Sequence, residues 1–377
     1  MKYYFIAGEA SGDLHASNLM KALKKSDPEA VFRGFGGDLM VAQGLQLTKH
    51  YREMDFMGFV KIAMNLRTVL KNIKLCKKDI LNFQPDVVIL LDYPGFNLRI
   101  AKFLKQQGIK NFYYISPQVW AWQQSRVHQI KRDVDRMFVI LPFEKDFYKK
   151  FDYEVDFVGH PLLDALQNEQ QEFDRTHFCA QHHLQSSKPI VALLPGSRRQ
   201  EIKKMLPLMT SLQADFPTHQ FVIAGVSSVE TTFYKRYSAA PDIPVIQHVT
   251  RKLLRSSEAA LVTSGTASLE TALMKTPEII CYKGDYISYL IAKQLIKVKY
   301  IGLPNLIMDK PIVKELIQND FNRLNLKNEL TELLLNPEKR LQLATDYNAL
   351  EQKLGGGGAS EKTAALMWKW IGTQMCY

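Results

Sequence analysis

Two aspartates stand where a chain can do proton chemistry. Asp92 closes the apolar run of "VVILLDYPGFN", and Asp13 follows the first apolar run in "FIAGEASGDLH", in a loop with Glu9 and Ser11. Tyr93-Pro94-Gly95 forces a turn directly after Asp92 and so holds its carboxylate at a strand end, the edge where open α/β sheets bind ligands. Like charges close together raise the pKa of one of them, which suits a general base. Either aspartate alone is equally well read as a helix or turn cap. The pair points to a functional crevice.

A second set of residues suits a phosphate. "LLPGSRRQEI" runs from a strand through a tight turn into a helix, with Gly196, Ser197 and Arg198 at the helix start and Glu201 within it. Backbone amides at a helix N-terminus favour an anion, and an arginine adds a bidentate grip. A capped helix with solvent-facing arginines fits the same spacing. In "LVTSGTASLETAL" a strand ends in Ser264-Gly265-Thr266, and the following helix carries Ser268 and Glu270. Small residues allow a diphosphate to approach, and Glu270 can accept both hydroxyls of a ribose. Its alternative is an N-capped helix with Glu270 as capping-box partner. The first loop is the poorer phosphate site, since Gly8 and Gly12 do not make the glycine fingerprint and its carboxylates would repel a pyrophosphate.

Other motifs are less telling. "RDVDR" contains the Asp133-x-Asp135 spacing of some metal sites, but Arg132 and Arg136 flank it and it precedes its strand, so a surface ion-pair cluster is the expectation. "YISPQVWAWQQSR" places Trp120 and Trp122 beside Gln123 and Arg126, which reads as a hydrophobic corner. From Lys49 to Lys78 there are eight lysines and arginines against two acids, Glu53 and Asp55, interleaved with Phe56, Met57, Phe59, Val60, Ile62 and Met64. Apolar bulk beside a basic flank suits an anionic membrane surface; a plain surface helix covering a sheet has equal standing. Nucleic acid fits less well, because the stretch is aliphatic.

These residues need rigid elements to position them. "YYFIAG", "DVVILLD", "NFYYIS" and "RMFVILP" read as buried parallel strands, separated by helical patterns over Leu14 to Lys25, Leu66 to Asn82 and Leu98 to Gln107. After a polar stretch at 166–188 the pattern restarts with "PIVALLPGS", "QFVIAG", "PVIQHV", "AALVTSG" and "EIICYKG". Two Rossmann-like α/β halves follow, at 1–165 and 166–345, with a helical tail at 346–377 beyond a flexible four-glycine break. The 377 residues suffice for two cores; 46% hydrophobic and 23% charged residues are ordinary for a globular protein. A net charge of +11 predicts anionic partners. Four dispersed cysteines argue against disulfides or zinc, and no signal peptide or spanning segment is apparent, so a cytoplasmic protein is expected.

Taken together, "AGEASGD", "LDYPGFN", "YYISPQVWAW", "LPFEKDFYKKF", "FVGHPLLDAL", "LLPGSRRQEI", "SGTASLETAL" and "GLPNLI" resemble the lipid-A-disaccharide synthase family, collinearly from the first strand to beyond residue 310. The resemblance implies a GT-B fold, with two Rossmann-like domains facing a cleft and a C-terminal helix crossing back to the first. It implies an inverting transfer of 2,3-diacylglucosamine from its UDP derivative to the 6-hydroxyl of 2,3-diacylglucosamine 1-phosphate. No cofactor or metal is required, and the enzyme is peripheral on the inner membrane. Asp92 is then the first choice of base and Asp13 the second, with Glu9 and Ser11 on the acceptor side. Ser197, Arg198 and 264–266 hold the diphosphate, Glu270 the ribose, and Asn305 of "LPNL" lines the same pocket. His160 of "VGHP" reads as hinge architecture. A UDP-sugar 2-epimerase of the same fold and a non-catalytic membrane-binding module are the alternatives.

Overall fold

The computed structural model describes residues 1–54, 66–167, 173–284 and 298–372. The chain divides into two compact units, one formed by Met1–Gln167 with Leu354–Tyr377, the other by Asn168–Lys353.

The first unit is built on β1 (Lys2–Ala7), β2 (Val31–Gly36), β3 (Leu45–His50), β4 (Val87–Leu91), β5 (Asn111–Tyr114), β6 (Arg136–Val139) and β7 (Asp156–Phe157). They form one parallel sheet in the order β3-β2-β1-β4-β5-β6-β7. Because helices cover both faces, the central strands are apolar throughout: Tyr3 to Ala7 and Val87 to Leu91 are fully buried. The chain leaves β1 towards β2 and β3, then returns to pair β4 on the other side. That reversal is a topological switch point, where the loops after β1 and β4 splay apart and leave a crevice. The register pairs Ala7 with Leu91, so Gly8 and Asp92 emerge side by side there.

The second unit repeats the plan with β8 (Ile190–Leu194), β9 (Gln220–Gly225), β10 (Val245–Gln247), β11 (Ser257–Thr263), β12 (Glu278–Tyr282) and β13 (Lys314–Ile317), in the order β10-β9-β8-β11-β12-β13. Its switch point lies between β8 and β11, where Leu194 pairs with Val262. The "PGSR" and "SGT" turns leave from these two strands. Both sheets thus place their chemically loaded loops at the same topological position.

The strands missing from the sequence reading have physical reasons. β2 carries Arg33, which pairs with buried Asp79 at 2.7 Å, and β3 is a half-exposed edge strand rich in polar residues. β13 closes the second sheet as a shorter, mixed strand of four residues.

The tail differs from expectation. Helix Pro337–Lys353 continues past residue 345 and belongs to the second unit, so the return to the first unit begins at Leu354. The glycine run is a defined turn rather than a flexible break. Gly355, Gly356 and Gly358 take left-handed backbone, and a Cβ on Gly357 would strike the Gln167 side chain. Asp164 accepts the amides of Gly358, Ala359 and Ser360 at 2.6, 3.1 and 3.1 Å, capping helix Ala359–Gly372. That helix buries Ala364, Met367 and Ile371 against Ala16, Leu19 and Leu23 of helix Ala10–Ser26.

Candidate functional site

β4 ends in an unusual turn. Asp92 (φ +42°) and Tyr93 (φ +46°) are consecutive non-glycine residues in the left-handed region, ahead of helix Pro94–Gln106 with proline at its start. Each such residue costs about 1–3 kcal/mol and persists only when its surroundings fix it. Here the fully buried Asn97 reaches back, its side-chain amide donating to the carbonyls of Leu91 at 3.0 Å and Asp92 at 2.8 Å. The Tyr113 hydroxyl donates to the same Asp92 carbonyl, and the Asp92 amide donates to Tyr114 at 3.2 Å. Tyr93 lies over Gly8, where a Cβ would sit 2.5 Å from its ring, and stacks on Phe96. The motif "LDYPGFN" therefore fixes the backbone at Asp92, at the switch point.

Its electrostatics fit a base. Burial pushes the Asp92 carboxyl up to about 6, the nearby Glu9 charge adds to this, and the Tyr93 amide opposes it. Glu9 starts helix Ala10–Ser26 and is half-buried, while Ser11 is exposed at the rim. A carboxylate titrating near 6 is ionised at neutral pH yet basic enough to draw a proton from a sugar hydroxyl.

Asp13 has a different role from the one expected. Its buried carboxylate accepts the amides of Gly37, Leu39 and Met40 at 2.8, 3.1 and 3.1 Å, capping the short helix Asp38–Ala42 after β2. Three backbone donors bind it to the turn, which makes it a structural anchor of the first unit. His160 is likewise internal: it accepts the Leu162 amide at 3.2 Å, and burial lowers its pKa to about 3.

In the second unit Gly196 (φ +107°) turns the chain into helix Arg199–Thr210. The amides of Ser197 and Arg198 donate to Glu201 Oε2 at 3.1 and 3.2 Å, and Arg198 Nη1 lies 3.4 Å from Oε1. An internal carboxylate thus occupies the seat read from the sequence as a phosphate cradle. At the neighbouring turn Gly265 and Thr266 are exposed, but the two serines face inward. Ser264 Oγ donates to the Ile301 carbonyl at 2.8 Å, and buried Ser268 Oγ donates to the Gly265 carbonyl at 2.8 Å, so both brace the loop.

Glu270 is not a capping-box partner; Arg251 Nε holds its Oε1 at 2.6 Å. Asn305 is also corrected. Its side chain is buried, donates to the Val313 carbonyl and Glu315 Oε1 at 2.8 Å each, and accepts the Val313 amide at 2.8 Å. It fastens the start of helix Leu303–Met308 to β13. Glu315 completes the brace on the amides of Ile301 and Gly302. Sequence reading missed Asn97, which reaches back five and six residues, and Tyr113, Arg251 and Glu315, whose partners lie further off in the chain.

Phe56, Met57, Phe59 and Val60 lie outside the described residues. The adjoining helix Leu66–Phe83 exposes Leu70, Leu75 and Leu81 beside Lys71, Lys74 and Lys78. Asp133 pairs with Arg132 at 2.7 Å and Asp135 with Lys105 at 2.8 Å, the ion-pair cluster read from "RDVDR". Among the described residues no group of acids, histidines or cysteines is arranged to hold a metal, and no helix is long and apolar enough to cross a membrane.

Two parallel-sheet units with loaded switch points define the GT-B class. Solved structures share the fold over nearly the whole chain: UDP-GlcNAc 2-epimerase from Neisseria meningitidis bound to UDP-GlcNAc (TM-score 0.70, 14% identity, 98% of this chain and 100% of that one) and the glycosyltransferase of kitacinnamycin (TM-score 0.67, 12% identity, 98% and 99%). Fold alone does not choose between epimerase and transferase. The sequence does: residues 3–367 match the model of the lipid-A-disaccharide synthetase family. The lipid-A-disaccharide synthase of Syntrophus aciditrophicus is 40% identical, covering 96% of this chain and 95% of that one, and that of Coxiella burnetii is 36% identical, covering 96% of each. The chain belongs to the lipid-A-disaccharide synthetase family and is a glycosyltransferase of lipid A disaccharide synthesis.

Proposed function

We propose that the chain joins 2,3-diacylglucosamine, delivered as its UDP derivative, to the 6-hydroxyl of 2,3-diacylglucosamine 1-phosphate in one inverting displacement. The acceptor oxygen attacks the anomeric carbon of the donor as its proton passes to the Asp92 carboxylate. The bond to the diphosphate breaks at the same time, UDP leaves with the electron pair, and the new linkage is β-1,6. The single observation that carries this is the strained, braced turn presenting Asp92 with a pKa near 6.

The diphosphate is assigned to the second unit, at Gly196–Arg198 and the exposed Gly265-Thr266 turn, with Arg198 meeting the charge that grows on the leaving group. The Glu270–Arg251 pair takes the ribose, Glu270 by its second oxygen. The scheme uses no metal: the cationic side chains and amides supply the charge stabilisation. The exposed leucines and lysines of helix Leu66–Phe83 support attachment to an anionic membrane surface, with 56–60 contributing apolar side chains. The test is to incubate both diacylated substrates with the protein and follow UDP and product. The reading predicts equimolar UDP and a β-configured disaccharide, unchanged by a chelator; an α product or UDP without disaccharide would overturn it.

A further inference from the structure

We propose that Arg126 binds the phosphate of the acceptor. The proposal rests on the transfer reaction above and names a contact for which that reaction has no residue so far. Arg126 opens helix Arg126–Asp133, beyond the loop that leaves β5 at the rim occupied by Asp92. It is half-buried, and its guanidinium lies over the exposed ring of Trp122, 5.9 Å from the centroid. Among the described residues no carboxylate lies within ion-pair distance of it, whereas Arg33 and Arg132 of the same unit are each matched to an aspartate.

Its position relative to the base is specific. The Arg126 charge acts on the Tyr113 hydroxyl, the group that donates to the Asp92 carbonyl. Helix Arg126–Asp133 packs on helix Pro94–Gln106, the element that follows the Asp92 turn, and Gln129 Nε2 donates to the Leu98 carbonyl at 3.5 Å. A guanidinium stacked on an aromatic face keeps its planar fork free for a bidentate oxyanion. The acceptor offers a phosphomonoester; a membrane offers phosphodiester headgroups. The adjacency to the Asp92 turn favours the acceptor.

The experiment compares 2,3-diacylglucosamine 1-phosphate with the same sugar lacking phosphate, in wild type, R126M and R126K. Wild type should prefer the phosphorylated acceptor in KM by roughly 10- to 100-fold, and R126M should lose most of that preference with the donor KM unchanged. R126K, which keeps the charge but not the fork, should fall between. Full preference retained in R126M overturns the proposal, as does R126M losing affinity for anionic phospholipid vesicles while its acceptor preference stays intact. Calorimetric titration of each protein with the phosphorylated acceptor separates this contact from the reaction. Phosphate-dependent binding by wild type but not R126M, without turnover, supports the contact and refutes the transfer. Binding indifferent to the phosphate overturns the contact even if transfer occurs.

Discussion

The side-chain amide of Asn97 donates to the backbone carbonyl of Asp92 at 2.8 Å, five residues back across a turn in which Asp92 and Tyr93 are both left-handed. The backbone conformation at Asp92 is held by that bond and by Tyr113. Replacing Asn97 by leucine keeps the volume and removes the donor. Stability should fall by about 1–3 kcal/mol from the unsatisfied carbonyls, and kcat should fall at least about tenfold with little change in donor KM. Denaturant melts with steady-state kinetics check both. A kcat that follows wild type would show that the turn is set without Asn97.

Asp92 should also weaken the fold it serves. Its folded pKa, about 6, lies above the ordinary carboxylate value of 3.8. Stability from this group is therefore full below about pH 4 and lost as pH rises through about 6. Asp92→Asn escapes that loss, so the variant should be more stable than wild type by about 1–3 kcal/mol at pH 7.5 and show no such gain at pH 4. Urea unfolding at the two pH values measures the difference.

Asp13 gives the opposite pattern. Its carboxylate satisfies three amides of the turn into helix Asp38–Ala42. Asp13→Ala should cost about 2–4 kcal/mol, whereas the folded fraction retains turnover at low temperature. A stably folded but inactive Asp13→Asn would instead make this residue chemical.

The fold was legible wherever a strand is buried on both faces, because such strands are continuous apolar runs: β1, β4, β8 and β11 stand out on that ground. Edge strands β3 and β13 were not, since each has only one buried residue and so shows no apolar run. In the candidate site, Asp92 and Arg198 stood out in the sequence because a turn signal sits beside each. Asp13, Ser268 and Asn305 misled because a polar side chain near a loop reads alike whether it faces a ligand or a backbone amide. Only the partner decides, and Gly37, Gly265 and Val313 are not foreseeable from spacing. Arg251 was invisible for the same reason: its partner Glu270 lies on a different helix.

On the proposed assignment, Glu201 and the diphosphate would compete for the same donors. The amides of Ser197 and Arg198 are held by Glu201 Oε2 in the free protein. Glu201→Gln keeps a neutral acceptor there and removes the negative charge, so UDP should bind roughly threefold to tenfold tighter. Isothermal titration with UDP reads this directly. Unchanged or weaker binding would place the diphosphate elsewhere.

The most direct test of Asp92 as the base is the pH dependence of kcat/KM for disaccharide formation in wild type and Asp92→Asn, from about pH 5 to about pH 8. The wild-type profile should climb with unit slope and level off above about 6, the value set by burial and Glu9. The variant should be at least roughly a hundredfold slower and lack that inflection, while still binding UDP. A variant with wild-type rates, or a wild-type profile flat through pH 6, would contradict the assignment.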